Sequence, residues 1–307
     1  MSSFDQPMGG TELMYAELKK RISQSYFEKF SIFNYPCYAD FSKPTIYWNQ
    51  LSYDQEPVQL LSDLQYVDNI KHFVFVSNWQ AEIFRKHFNL EGDKIKVIKN
   101  ACSGVTPNLE KNNEKIKICY TSTPWRGLNV LLKAWEILKP QTCELHIFSS
   151  TKIYGKEFSK NAGSQYDHLY EKCKQLPNVV YRGAVNNAVL RSELSTFDIL
   201  AYPSTFEETS CISVIDALSA GLKVVCSNIG ALPETTEGWA EMYPFIREND
   251  KHATEFAKIL KNTVINYKNG KYKDQLQEQV SLYTPRWSWN ERIKEWNAFL
   301  NDISQNK

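Results

Sequence analysis

Residues 199–227, ILAYPSTFEETSCISVIDALSAGLKVVCS, contain the pattern that decides the fold. The apolar run ILAYP (199–203) leads into a polar loop and then an amphipathic segment. Gly221 follows, and a second apolar run, KVVCS, ends at residue 227. This succession of strand, loop, helix, glycine stop and strand is one unit of a parallel sheet that is covered by helices.

The same alternation extends over most of the chain and predicts nine strands, at 30–35, 45–48, 73–77, 95–99, 117–121, 144–148, 179–182, 199–203 and 223–227. The polar segment 103–114, which contains Gly and Pro, separates two groups of strands and is interpreted as an interdomain linker. The sequence therefore predicts an α/β protein with two doubly wound parallel-sheet domains. Their expected ranges are 1–107, completed by an amphipathic C-terminal helix over 286–307, and 108–285.

Composition excludes several function classes. The 36 Lys and Arg nearly balance 35 Asp and Glu, and the net charge of +1 gives no basis for nucleic-acid binding. No apolar run is long enough to span a membrane, and the first residues lack the features of a secretory signal. The seven cysteines show no Cys-x-x-Cys or metal-ligand spacing, so we expect reduced thiols, no metal site and a cytoplasmic protein.

The loop before the helix in 199–227 has the chemistry of an anion site. Thr209, Ser210 and Cys211 are small, so backbone amides can approach a diphosphate, and Thr209 or Ser210 could cap the helix. The carboxylates of Glu208 and Asp216 would then bind sugar and ribose hydroxyls. Alternatively, the acidic loop only favours a helix start and Asp216 lies on a solvated face. Spacing alone leaves both interpretations open.

This segment resembles the signature of family 4 retaining glycosyltransferases of the GT-B fold, and the residues that match it are Pro203, Ser204, Glu208, Ala217, Leu218 and Gly221. It departs from the family at Asp216, where a longer glutamate is usual. The resemblance implies two Rossmann-like domains that face a central cleft, with 1–107 on the acceptor side and 108–285 binding the donor. It further implies that Glu208 contacts the transferred sugar and that Asp216 binds the ribose.

Other segments resemble the same family in the family's order: MGGTELMYAELKKRI (8–22), TSTPWRGL (121–128), YRGAV (181–185) and GALPE (230–234). The resemblance implies that Arg126 binds the donor diphosphate, although by itself Arg126 could be a surface turn residue. It adds further donor-binding positions in the two domains: Gly10, Thr11, Thr123, Gly183, Val185, Thr209, Ser210, Cys211 and Glu234. Three departures are that no strand is predicted before Gly9, that Thr121 replaces a basic residue, and that 49–51 lacks the family's histidine.

The resemblance implies an enzyme that transfers a sugar from a nucleotide-diphosphate sugar to an unidentified glycan, lipid or polysaccharide precursor, with retention of anomeric configuration. Glu208 and Arg126 are the expected catalytic residues, with no metal and no cofactor. Peripheral membrane contact is left open. The alternatives are a catalytically impaired nucleotide-binding protein and a nucleotide-sugar epimerase on the same fold.

Overall fold

The structure is a computed structural model that describes residues 9–102, 104–111, 114–154 and 164–305. Its strands form two parallel sheets, one of four strands and one of six. The first sheet contains β1 (Ser31–Phe33), β2 (Thr45–Asn49), β3 (His72–Phe75) and β4 (Ile95–Val97). The second contains β5 (Ile116–Tyr120), β6 (Cys143–Ile147), β7 (Val179–Tyr181), β8 (Ile199–Tyr202), β9 (Lys223–Ser227) and β10 (Glu241–Tyr243).

Twelve α-helices cover these sheets in the described residues: α1 (Gly10–Lys19), α2 (Gln24–Lys29), α3 (Leu64–Asp68), α4 (Asn78–His87), α5 (Leu128–Leu138), α6 (Asp167–Gln175), α7 (Asn187–Leu194), α8 (Ile212–Ser219), α9 (Leu232–Thr236), α10 (Asn249–Lys268), α11 (Lys273–Arg286) and α12 (Trp289–Gln305). Short 3₁₀ turns lie between them, at Pro36–Tyr38, Glu56–Ser62, Gly92–Lys94, Pro124–Arg126, Thr151–Tyr154 and Ser164–Tyr166.

The strand prediction is confirmed, since each of the nine predicted runs overlaps a strand. Strand β10 was missed because it is a three-residue edge strand with the sequence Glu-Met-Tyr, too short for a recognisable apolar run. The prediction that no strand precedes Gly9 falls on residues 1–8, which lie outside the described residues.

The second sheet has the strand order β10-β9-β8-β5-β6-β7, which reverses between β5 and β8. In an open parallel sheet, ligands bind beyond the carboxyl ends of the strands at such a reversal. The segments that follow β5 and β8 are residues 121–127 and 203–211. The topology therefore brings together the two loops that carry Arg126 and Glu208.

The described strands of the first sheet run β1-β2-β3-β4, in the order of the chain and without a reversal. One face is covered by the connections between strands, with the apolar residues of Glu56–Ser62, α3 and α4 packed against it. Because parallel crossovers share one hand, they leave the opposite face open. Helices α1, α2 and α12 cover that face, and the rings of Trp48 and Trp296 lie 5.2 Å apart there.

The chain crosses between the two sheets twice, and the two crossings touch. The backbone N–H of Cys102 donates to the carbonyl of Trp287 at 2.7 Å, and Cys102 forms a parallel bridge with Ser288. The described part of the predicted linker, 104–111 and 114, has no helix or strand. It is attached to the second sheet's layer by Asn108, whose N–H donates to the Ala220 carbonyl at 3.3 Å.

His252 on α10 is fully buried, and among the described residues its imidazole makes one hydrogen bond, between Nε2 and the hydroxyl of Tyr243 at 2.7 Å. Its Nδ1 is buried without a partner among the described residues. Burial lowers the pKa of His252 to about 4, from an ordinary value of 6.5. The folded state therefore binds fewer protons than the unfolded chain between these two pH values.

We expect the free energy of unfolding to fall as the pH drops from about 6.5 towards about 4. Above that pH range, the stability that the neutral His252 contributes is fully present. In His252→Phe this part of the pH dependence should disappear, since no proton is taken up at this position. Urea unfolding of both proteins at several pH values measures the slopes. Equal slopes in the two proteins would contradict the assignment.

Candidate active site

A cavity of about 270 Å³ lies between the two sheets. Its walls are formed by the segments after β5 and β8, the first residues of α1 and α8, one face of α7, and residues 50–52 after β2. The carboxyl ends of strands from both sheets thus open onto one cleft. Nine of the twelve candidate site residues line it: Gly10, Thr11, Thr123, Arg126, Glu208, Thr209, Ser210, Cys211 and Asp216.

The two expected catalytic residues contact each other. Arg126 Nη1 lies 2.5 Å from Glu208 Oε2, and the Glu208 side chain is only 3% exposed. The Arg126 guanidinium also lies 4.5 Å from the centre of the Phe206 ring. The structure thus places a buried, arginine-paired carboxylate at the reversal point of the second sheet.

Tyr202, at the end of β8, is a site residue that the sequence interpretation missed. Its hydroxyl donates to Glu208 Oε1 at 2.5 Å, so both carboxylate oxygens of Glu208 accept a hydrogen bond. Burial holds the pKa of the Tyr202 phenol well above its usual value, which keeps the proton on the donor. The sequence signal that could have identified Tyr202 is its position as the last residue of a strand, directly before the loop that carries Glu208.

Gly127 brings the two loops together. It has φ +105°, and a Cβ at this position would lie 2.0 Å from the carbonyl oxygen of Pro203. Only glycine allows this approach, because no side chain fits and positive φ is strained for other residues. Glycine after Arg126 is therefore required for Arg126 to reach Glu208.

The N-termini of α1 and α8 face the cleft from opposite sides. Neither N-cap residue, Gly9 or Cys211, makes a side-chain capping hydrogen bond. The expectation that Thr209 or Ser210 caps α8 is therefore wrong, since the Thr209 hydroxyl instead donates to the Gln50 carbonyl at 3.0 Å. Helix N-termini without caps offer unpaired amides and a favourable dipole to an anion.

Four buried polar atoms on the cleft wall have no hydrogen-bond partner among the described residues: Gln50 Nε2, Asn100 Oδ1, Thr123 Oγ1 and Ser210 Oγ. They come from both domains. Buried polar groups are nearly always paired in folded proteins, so a cluster of unpaired ones indicates a place where a ligand supplies the partners. The arrangement suits a polar ligand with many hydroxyl or phosphate oxygens.

Asp216 is buried rather than solvated, which excludes the alternative of an exposed helix face. It lies one turn into α8, because the helix begins at Ile212 and not at Glu208. Its Oδ2 lies 3.3 Å from Nε of Arg191 on α7. Arg191 also lines the cleft and was not found from the sequence, since nothing local links it to Asp216.

Three candidate residues lie away from the cleft wall. Gly183 has φ +64° in the turn after β7, and Val185 packs against the core of the second domain. Glu234 on α9 accepts hydrogen bonds from the N–H groups of Asn78 and Trp79 at 3.0 and 3.1 Å, and thereby caps α4 of the first domain. Donor binding by these residues stays a prediction.

The Glu234 contact should join the two domains. In Glu234→Ala we expect a loss of about 1 kcal/mol in the free energy of unfolding, as for other lost caps, and a larger radius of gyration in X-ray scattering. Glu248→Ala is the matched control, because Glu248 caps α10 within one domain through Asp250 and Lys251. A radius that changes equally in both variants, or in neither, would contradict the interdomain role.

Cys211 lies on the cleft wall and its side chain is buried. Burial raises the pKa of the Cys211 thiol to about 12, so it stays protonated. Within 9–102, 104–111, 114–154 and 164–305, no three His, Cys, Asp or Glu side chains are grouped to hold a metal ion. In the same ranges, no helix combines the length and apolarity that crossing a bilayer demands.

Comparison with known proteins finds a family match within the second domain. Residues 115–264 match the family described as "Glycosyl transferases group 1". This range contains both loops of the sheet reversal, and with them Arg126, Glu208 and Asp216.

Two curated relatives are also similar to the chain. The chain is 29% identical over 159 residues to an uncharacterized glycosyltransferase of Methanocaldococcus jannaschii, which covers 48% of this chain and 40% of that protein. It is 27% identical over 203 residues to an uncharacterized 41.2 kDa protein in the cps region of Klebsiella pneumoniae, covering 62% of this chain and 55% of that protein. The chain thus aligns with about half the length of these relatives.

Among solved structures, HepE from Anabaena in complex with UDP and glucose is similar with a TM-score of 0.68 and 14% identity, over 97% of this chain and 84% of that one. At this identity the likeness shows the fold. The predicted GT-B architecture, two parallel-sheet α/β domains around a cleft, is confirmed.

Proposed function

We propose that the protein transfers a sugar from a nucleotide-diphosphate sugar to a glycan, a lipid or a polysaccharide precursor, with retention of anomeric configuration and without a metal ion. This proposal rests on the contact of Arg126 with Glu208, in a cleft with two uncapped helix N-termini and four polar atoms that have no hydrogen-bond partner among the described residues. The match of residues 115–264 to the glycosyl transferases group 1 family supports it, as does the likeness to HepE, which was crystallised in complex with UDP and glucose.

The donor's diphosphate is the group that leaves, so stabilising its charge is the main task of the site. The amides at the start of α1 and α8 and the guanidinium of Arg126 supply positive potential there. We assign the four unpaired polar atoms to donor hydroxyl and phosphate oxygens. Fixed donors of this kind stabilise the developing charge without rearranging at the moment of reaction.

Glu208 has two roles in this proposal. In the structure it neutralises Arg126, and the diphosphate would replace it as the partner of the guanidinium. The freed carboxylate then binds hydroxyls of the transferred sugar, held in place by the hydroxyl of Tyr202. A carboxylate close to the sugar also favours the positive charge that develops on the ring. Asp216, one turn further into α8, binds the ribose.

Seven free cysteines suit a reducing compartment, so we place the reaction in the cytoplasm. The test is a panel of UDP-, GDP-, ADP- and dTDP-sugars, offered with saccharide and lipid-linked acceptors in the presence of EDTA. We expect release of free nucleotide together with a glycosylated product whose anomeric configuration, read by NMR, matches the donor. Product without free nucleotide would indicate an epimerase, and nucleotide binding without any turnover would indicate a non-catalytic protein.

A further inference from the structure

Arg191 is a second guanidinium on the wall of the cleft. It lies on α7, and the residues of this helix that line the cleft are Asn187, Leu190, Arg191 and Leu194. Their spacing of three and four residues is that of one helical face. The Arg191 side chain is 14% exposed, so it is held in the wall and still reaches the cavity.

The two arginines of the cleft are held differently. Arg126 is paired at 2.5 Å with Glu208 and stacked on Phe206. Arg191 makes one ion pair among the described residues, from Nε to Asp216 at 3.3 Å. A guanidinium has five N–H donors, and a contact through Nε leaves the terminal nitrogens able to bind another group.

The charges on the cleft wall are nearly balanced. The carboxylates of Glu12, Glu208 and Asp216 oppose the two arginines, so the carboxylates exceed the guanidinium groups by one. Glu12 accepts a hydrogen bond from the Tyr35 hydroxyl at 2.7 Å. A diphosphate would add negative charge to this wall, so its binding requires that more than one cation turns towards it.

We propose that Arg191 binds the donor's diphosphate together with Arg126, at the phosphate nearest the ribose, and that Asp216 orients its guanidinium. The inference rests on the proposed function for the identity of the ligand. It assigns Asp216 a second task besides ribose binding, since the same carboxylate holds the cation that faces the adjacent phosphate. Arg191 is thus a donor-binding residue, and it contributes to affinity through charge.

The experiment is calorimetric titration with three ligands of one base: the nucleoside, its monophosphate and its diphosphate. The base is the one among uracil, guanine, adenine and thymine whose diphosphate the wild type binds most tightly. In Arg191→Gln we expect diphosphate affinity to fall at least about tenfold, and nucleoside affinity to change by less than about threefold. Arg191→Lys, which keeps the charge, should lie between Arg191→Gln and the wild type.

Arg85→Gln is the control, because it removes the same charge from an exposed arginine that pairs with Glu82 on α4. It should bind all three ligands like the wild type. The loss of diphosphate affinity in Arg191→Gln should also become smaller as the salt concentration rises from about 50 to about 500 mM, because screening weakens the attraction between the guanidinium and the phosphates.

An equal loss for nucleoside and diphosphate would overturn the inference and assign Arg191 to the ribose or the base. Unchanged affinity in Arg191→Gln would overturn it as well. Failure of the proposed function is seen separately, because binding is measured without turnover. A wild type that binds a diphosphate but transfers no sugar contradicts the transferase alone, whereas one that binds none of the four diphosphates contradicts both.

Discussion

Replacing Glu208 by glutamine should lower turnover at least about tenfold, equivalent to about 1.4 kcal/mol in the activation barrier. The carboxylate accepts hydrogen bonds from Arg126 and Tyr202 through both oxygens, and an amide keeps only one acceptor. The variant also loses the charge that we assign to the sugar. Steady-state release of nucleotide with saturating donor measures the effect, with thermal unfolding to show that the variant is folded.

Glu207→Gln provides the matched control. Glu207 is the preceding residue, lies beside Tyr53 and does not line the cleft. The same chemical change at this position should leave turnover within about twofold of the wild type, as is usual for substitutions away from the reacting groups. Wild-type turnover in Glu208→Gln, or an equal loss in both variants, would show that the catalytic assignment is wrong.

Gly230→Ala should lower turnover about as much as Glu208→Gln does, and it should lower the free energy of unfolding more than Glu208→Gln does. Gly230 has φ +62°, and a Cβ there would lie 2.6 Å from the backbone nitrogen of Glu208 and 2.7 Å from its carbonyl oxygen. Neighbouring backbone must move, and the moved segment carries the Glu208 side chain. We expect a loss of about 3 kcal/mol in the free energy of unfolding, from left-handed strain and overpacking combined, and at least about tenfold lower turnover in the folded fraction.

Gly238→Ala separates the effect of left-handed backbone strain from the effect of overpacking. Gly238 also has a positive φ, +86°, but nothing lies within 4 Å of a Cβ at this position. The free energy of unfolding of Gly238→Ala should fall by only about 1–2 kcal/mol, which is the strain of a left-handed alanine. Its turnover should equal that of the wild type. Melting temperatures and turnover of the two alanine variants can be compared directly. If Gly238→Ala lost as much turnover as Gly230→Ala, the steric argument would fail.

The strands could be predicted from the sequence because parallel strands buried on both faces are continuous apolar runs. Every residue of β2, β8 and β9 is buried, and these runs are unmistakable. The loop chemistry was also visible, since Glu208 and Arg126 each lie in the loop that follows a strand. Strand β10 could not be found, because three residues at an edge carry too little periodicity.

The pairings inside the site could not be predicted, because they depend on distances between segments. Arg191 and Asp216 are 25 positions apart on different helices, and neither helix carries a signal for the other. Glu234 meets α4 across 156 positions and two domains, so its capping role has no local pattern. The choice of Glu208 as the partner of Arg126 likewise follows from the sheet reversal that brings their loops together.

The backbone N–H of Cys102 donates a hydrogen bond to the carbonyl of Trp287, and this bond ties together the two chain segments that connect the domains. The two connections therefore act as a single hinge axis. Sliding one half past the other would break this bond, whereas swinging about the line through it keeps the bond intact. Such a rotation displaces each atom of the moving domain in proportion to its distance from the hinge axis. The mouth of the cleft would therefore widen most at the rim farthest from Cys102.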